Sequence, residues 1–218
     1  MATYLRTLLN LLGAVLICVT SIAPVGVRAQ STGQPTVSAS PIEPSLSAQL
    51  PAAPAGFMWR RYQDVVFLVP AEWRENELRS TDMSVYAASP ESFTQTQLFE
   101  TGFTIQIIVE PKRKRGIEAK KAALVYLRQF LNAHKREDVM ILDQKTDGDA
   151  EMTFFRFRDQ PPGQTPIIVH KYLIANNATD VVHVFTFESP AASWDNAWST
   201  YGTPILSKIA LLPNVRPN

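Results

Sequence analysis

Two of the three histidines in the chain, His170 and His183, fall in one β-rich stretch. It reads Ile167-Ile168-Val169-His170-Lys171-Tyr172-Leu173-Ile174, breaks at an Asn-centred segment, and resumes as Val181-Val182-His183-Val184-Phe185-Thr186-Phe187. A tight Asn176-Asn177 turn, whose positive φ angles Asn tolerates, would make an antiparallel hairpin with His170 facing His183. Cross-strand neighbours hold their Cβ atoms about 5 Å apart, close enough for two imidazoles to ligate one transition metal. A third ligand is needed, and His134 is the remaining histidine. The plainer reading is a pair of histidines packed in a sheet. A four-residue turn would shift the partners by two positions while keeping the same faces.

A second candidate is the run Lys112-Arg113-Lys114-Arg115, with Lys120 and Lys121 about one helical turn further on. Such a patch attracts anionic lipid headgroups or an acidic protein surface, with a pull that salt weakens. Cations at a helix start oppose its dipole, which favours a binding role over a stabilising one; the plainer reading is a solvated loop. Asp143, Asp147, Asp149 and Glu151 offer oxygens for calcium, but they lack the EF-hand spacing and its closing glutamate, so an exposed acidic turn is favoured. Ser199 and Ser207 lie beside no glycine elbow, and no Gly-rich phosphate loop exists. Nucleophilic catalysis therefore has little support in the sequence, while a triad that assembles in space, around His170 or His183 with a hydroxyl and a carboxylate, stays open; no cofactor is required, with calcium or a transition metal as the classes to consider.

These residues must be positioned by the rest of the chain. Residues 1–29 have the order of a secretory signal: Arg6, the apolar Leu8 to Ile22, then Val27-Arg28-Ala29 with cleavage after Ala29. Cys18 is the only cysteine, and Ile17 before it is not the small residue that lipid attachment requires. The exported domain is thus expected to fold without disulfides. Loss of Arg6 and Arg28 leaves 19 basic against 20 acidic residues, a balance with no general attraction to nucleic acid. Residues 30–55 are rich in Pro and Ser with a single charge, Glu43, and read as a disordered linker.

The folded domain is expected over 56–212, with 213–218 a tail. Phe57 to Tyr62, Val65 to Val69, Met83 to Ala88 and Phe103 to Glu110 read as strands, followed by a helix from about Ile117 to Lys135 with one buried stripe. Asp138 to Asp143, Met152 to Arg158 and the two histidine-bearing runs read as further strands. Ser189 and Pro190 look like the start of a last helix, with Trp194, Ala197, Trp198 and Tyr201 turned inward and Gly202-Thr203-Pro204 as an interruption. Both faces of the histidine hairpin are apolar, so each needs cover. The expected fold is α+β, a central antiparallel β-sheet with helices packed on both faces, an α/β/α sandwich.

The order of these elements resembles a known family. Val65-Val66-Phe67-Leu68-Val69-Pro70-Ala71-Glu72-Trp73, a strand ending in Pro with Trp three residues on, is followed by Phe99-x-x-Gly102-Phe103 leading into a strand. With the mid-chain helix, the Phe155-x-Phe157 strand, the hairpin and the Trp-containing last helix, the pattern is similar to the PsbP family of extrinsic photosystem II proteins. Bacterial periplasmic proteins of the DcrB type look similar in the same way. The resemblance implies a non-catalytic exported accessory protein of the periplasm or a thylakoid lumen, soluble or peripherally attached to a membrane, a monomer that docks on a membrane complex, with photosystem II the suspected partner. The alternative it implies is a periplasmic ligand- or metal-binding protein.

Overall fold

The protein is described by a computed structural model covering residues 49–79, 83–93, 99–160 and 165–212, with 42, 46 and 217 as isolated positions. The expected signal at 1–29, most of the expected linker and most of the expected tail lie outside the described residues. Among these residues no helix is long and apolar enough to cross a membrane.

The strands are β1 Phe57–Tyr62, β2 Val65–Pro70, β3 Arg74–Arg79, β4 Met83–Ser89, β5 Gly102–Val109, β6 Val139–Asp147, β7 Ala150–Asp159, β8 Ile167–Asn176, β9 Val181–Pro190 and β10 Ala210–Leu211. The helices are α1 Pro111–Arg115, α2 Ala119–Ala133, α3 Trp194–Ala197 and α4 Thr203–Leu206, with a 3-10 turn at Arg136–Asp138 and a π turn at Trp198–Gly202. Seven strands form one sheet in the order β3-β4-β5-β9-β8-β7-β6, in which every pairing is antiparallel. The protein is α+β, and the histidine hairpin β8–β9 lies at the middle of this sheet.

Period-two alternation sends the hairpin's side chains to two separate cores. On one face Val169, Leu173, Val182 and Val184, with Phe155 and Phe157 of β7, pack against Ala119, Ala123, Tyr126, Leu127 and Phe130 of α2. On the other, Phe185 and Phe187 join Phe103, Ile105 and Tyr86 beneath Trp194, Ala197 and Ile205 of the C-terminal helical segment. The first two strands do not enter the central sheet. They pair with β10 in a separate three-stranded sheet, whose Tyr62, Val65, Phe67 and Val69 cover the second core beside the helices.

Both motifs behind the family resemblance have a packing reason. Trp73 N–H donates to Pro70 O at 3.1 Å, a turn that carries the chain from the small sheet to the large one. It buries the Trp73 ring against Tyr201. A Cβ on Gly102 would come within 2.3 Å of the Phe99 ring and 2.8 Å of Ala88 O, so this position admits only glycine.

One strand is added and two local expectations are corrected. Residues 74–79, with no apolar alternation to mark them, form the edge strand β3. The final helix starts after Ser193, four residues beyond Ser189, because β9 runs through Pro190 and Ala191 N–H is held by Pro166 O at 2.8 Å. Gly202-Thr203-Pro204 does not interrupt it. The π turn passes Thr203 N–H to Trp198 O and continues into α4 with Pro204 in its first turn.

Candidate functional site

The six predicted cations come together at one corner. At the end of β5, Glu110 takes a left-handed conformation, φ 56°, and Pro111 opens α1. The turn that joins β8 to β9 braces this short helix: Asp180 accepts the Lys112 N–H at 3.0 Å and the Arg113 N–H at 3.3 Å on its carboxylate, and its carbonyl accepts the Glu110 N–H at 2.8 Å. Asn177 in the same turn accepts the Lys120 N–H at 2.9 Å, which fixes the start of α2. Lys112, Arg113, Lys114, Arg115 and Lys121 are exposed and Lys120 is half-buried. Lys112 pairs with Glu118 at 2.7 Å and Arg113 with Glu110, each carboxylate holding its cation's pKa above the ordinary value. Six cations are gathered on this folded support beside Glu110, Glu118 and Asp180.

The two histidines do not meet. The turn spans Asn177 to Asp180, longer than the expected Asn176-Asn177 turn and displaced toward the C-terminus, so the partners shift by four positions and not two: His170 faces Phe187 and His183 faces Ile174. Both lie on one face, four residues out of register, about 13 Å along the strands. One ion cannot bridge that gap, and among the described residues no three His, Cys, Asp or Glu side chains cluster to hold a metal. His134 is further removed: it ends α2, its Nδ1–H donates to Phe130 O at 2.8 Å, and Asp159, 3.8 Å from Nε2, raises its pKa. Asp143, Asp147 and Asp149 are exposed on the β6–β7 hairpin.

Each hairpin histidine has another setting. His183 Nε2 lies 2.9 and 3.0 Å from the two carboxylate oxygens of Asp64, with both residues buried. Asp64 belongs to the β1–β2 turn and its carbonyl accepts Leu212 N–H, so the pair fastens the small sheet to the large one. His170 is buried beside Trp198, with ring centroids 4.7 Å apart, and burial, then the Arg156 charge, lowers its pKa to about 4.

Two polar clusters escaped the sequence because their members meet only in space. Under α2, the buried Lys171 ammonium donates to Thr186 Oγ1 at 2.9 Å and Tyr126 Oη at 3.2 Å and sits 4.7 Å from the Phe130 ring centre. Burial lowers its pKa and raises that of Glu188, each group partly offsetting the other's shift. Beside the C-terminal helix, the Arg156 guanidinium lies 4.4 Å from the Trp198 ring centre and 4.9 Å from that of Trp194. A charged residue inside an apolar strand, as at Lys171, was the one signal available.

No family model and no curated protein matches this chain. Among solved structures, it is similar to the cyanobacterial PsbP, CyanoP, of Synechocystis, at 11% identity and TM-score 0.43, over 73% of this chain and 94% of that one. It is similar to the Ran-binding protein Mog1p of Saccharomyces cerevisiae, at 15% identity and TM-score 0.40, over 68% and 90%. For a protein of Bacteroides thetaiotaomicron the values are 10% identity and TM-score 0.38, and this chain spans 69% of its own length but 46% of that protein. At such identities and scores these likenesses assign the chain no family, partner or activity.

Proposed function

We propose that this chain is a non-catalytic accessory protein that acts outside the cytoplasm by docking on a membrane complex through its basic corner. The observation that carries the reading is the brace: Asp180 and Asn177 hold the backbone of Lys112, Arg113 and Lys120, so the cations are presented from a fixed platform. A rigid cationic surface loses less conformational freedom on binding than a loop does, and it suits an acidic membrane-protein surface. The signal-like order of residues 1–29, Arg6 followed by an apolar stretch and Val27-Arg28-Ala29, supports an extracytoplasmic site of action. The ordered resemblance to PsbP proteins supports photosystem II, in assembly or stabilisation, as the complex.

The test is salt-dependent co-sedimentation with membranes of the source organism, comparing the wild type with a variant carrying Lys112→Ser, Arg113→Ser, Lys114→Ser and Arg115→Ser. Binding that salt releases and the variant loses supports docking by this corner. Equal binding of both proteins rejects it.

A further inference from the structure

The last strand of the central sheet, β6, has an open outer edge. It pairs with β7 on one side, and no other described strand reaches the other. Every residue from Met140 to Asp147 is exposed, so neither layer of cover extends over it. Met140, Ile141 and Leu142, three consecutive apolar residues, are 55%, 40% and 50% exposed. The opposite edge of the sheet is guarded, because β3 carries Arg74, Glu75 and Glu77. Unpaired N–H and C=O groups along a long apolar edge form a template for another strand, which is why most edges are short, charged or bulged.

Two features of β6 select the strand that fits. A bulge interrupts the ladder between Val139 and Ile141, leaving residues 141–147 as the regular edge. The midpoint of that segment is Gln144, flanked by Asp143 and Lys145. When the segment pairs antiparallel with its own copy about a two-fold axis at Gln144, Asp143 of each copy falls opposite Lys145 of the other. Leu142 then lies opposite Thr146. Opposite charges that face each other across strands are favourable and like charges are not. Two-fold symmetry keeps like faces together, so the nearest alternative registers centre on Asp143 or on Lys145. Each of these sets a charge against its own copy. Within one chain Asp143 and Lys145 are exposed and 3.8 Å apart along the strand, a surface pair worth little, so both can turn to partners across the edge.

We propose that β6 joins two copies of this chain edge to edge, as a two-fold dimer in which the central sheet runs through both. The occupant is a second copy because the regular edge is complementary to itself in both charge and register. The monomer that the family resemblance implies is then the dissociated form. One strand from each copy makes a small interface, of the weak and reversible class. Self-association does not depend on the basic corner. β6 lies three strand spacings from β9, about 14 Å across the sheet from the turn that braces α1.

Sedimentation equilibrium of the full chain between about 1 µM and 1 mM measures the association. The wild type is expected to pass from monomer to dimer and no further, with a dissociation constant of about 10–100 µM. Asp143→Lys and Lys145→Asp alter exposed side chains, so both variants should keep the wild-type urea midpoint. Each sets like charges opposite each other at two places and should weaken the dimer at least about tenfold. In an equimolar mixture of the two variants every charge again meets its opposite, and association should return to the wild-type level. The fourfold Ser variant of the basic corner should dimerise as the wild type does, so docking and self-association fail separately. A wild type still monomeric at about 1 mM, assembly beyond the dimer, wild-type association in both charge variants, a mixture no better than its components, or a dimer lost with the basic corner would each overturn the assignment. If one charge variant fails to fold, the wild type and the other variant still decide.

Discussion

His183→Phe tests how the two sheets are joined. Phenylalanine keeps a flat ring in the stack on Phe185, whose centroid lies 6.2 Å away with the planes 3° apart, so little volume is lost. What goes is the Nε2 contact with the Asp64 carboxylate, leaving that group buried without its imidazole. Removing one partner of a buried hydrogen-bonded pair that includes a carboxylate costs about 3 kcal/mol, because the remaining group keeps its desolvation penalty. With a urea m-value of about 2 kcal/mol/M, the midpoint should fall by about 1.5 M. The double variant Asp64→Leu, His183→Phe removes both polar partners and should recover much of that loss, since an apolar pair often replaces a buried polar one at little cost. Equilibrium urea unfolding followed by tryptophan fluorescence gives both numbers. A single variant within about 0.5 kcal/mol of wild type, or a double variant no better than the single, would refute the inter-sheet fastening.

Two further outcomes follow from the same geometry. Gly102→Ala forces a Cβ onto the Phe99 ring and Ala88 O, and urea unfolding should show a loss of about 2 kcal/mol; a neutral result would mean that the Phe99 loop is free to move away. Burial raises the Glu188 carboxyl from 4.5 to about 7, with Asp159 and Glu91 adding to the shift and Lys171 opposing it. The folded state then keeps a proton that the unfolded chain has lost. That contribution is fully present below pH 4.5 and disappears as pH rises through 7, with a slope of at most about 1 kcal/mol per unit. Glu188→Gln should flatten that segment of the stability profile, and an unchanged profile would count against the shift.

The sequence reveals the parts of the fold where local pattern and burial agree. β2, β8 and β9 are continuous apolar runs and lie at the centre of their sheets, and the stripe of α2 faces the core as its spacing requires. β3 has no such pattern. Its Glu75 is held by Arg60 Nε at 3.1 Å and the Tyr86 hydroxyl at 2.9 Å, so this edge strand is fixed by polar partners distant in sequence. The hairpin turn was readable in place but not in length. Asn176 bonds within the turn to the Ala178 N–H at 2.8 Å, and Asp180, at φ 56°, turns its carboxylate onto α1. That longer loop moved His170 away from His183 and removed the shared metal. The same Asp180 converted the basic run from a loop of charges into a braced surface. The place of β6 at the outer edge depended on the strand order, which a single sequence does not display.

The claim at the centre of this account is that the braced cations from Lys112 to Arg115 dock the protein on a membrane complex. Co-sedimentation with source membranes at low and high salt measures it directly. Wild-type protein is predicted to bind at low salt and to be released as the Debye length falls from about 10 Å toward 3 Å, with the fourfold Ser variant at least about tenfold weaker at low salt. Binding of the variant equal to that of the wild type, or wild-type binding indifferent to salt, would contradict the claim.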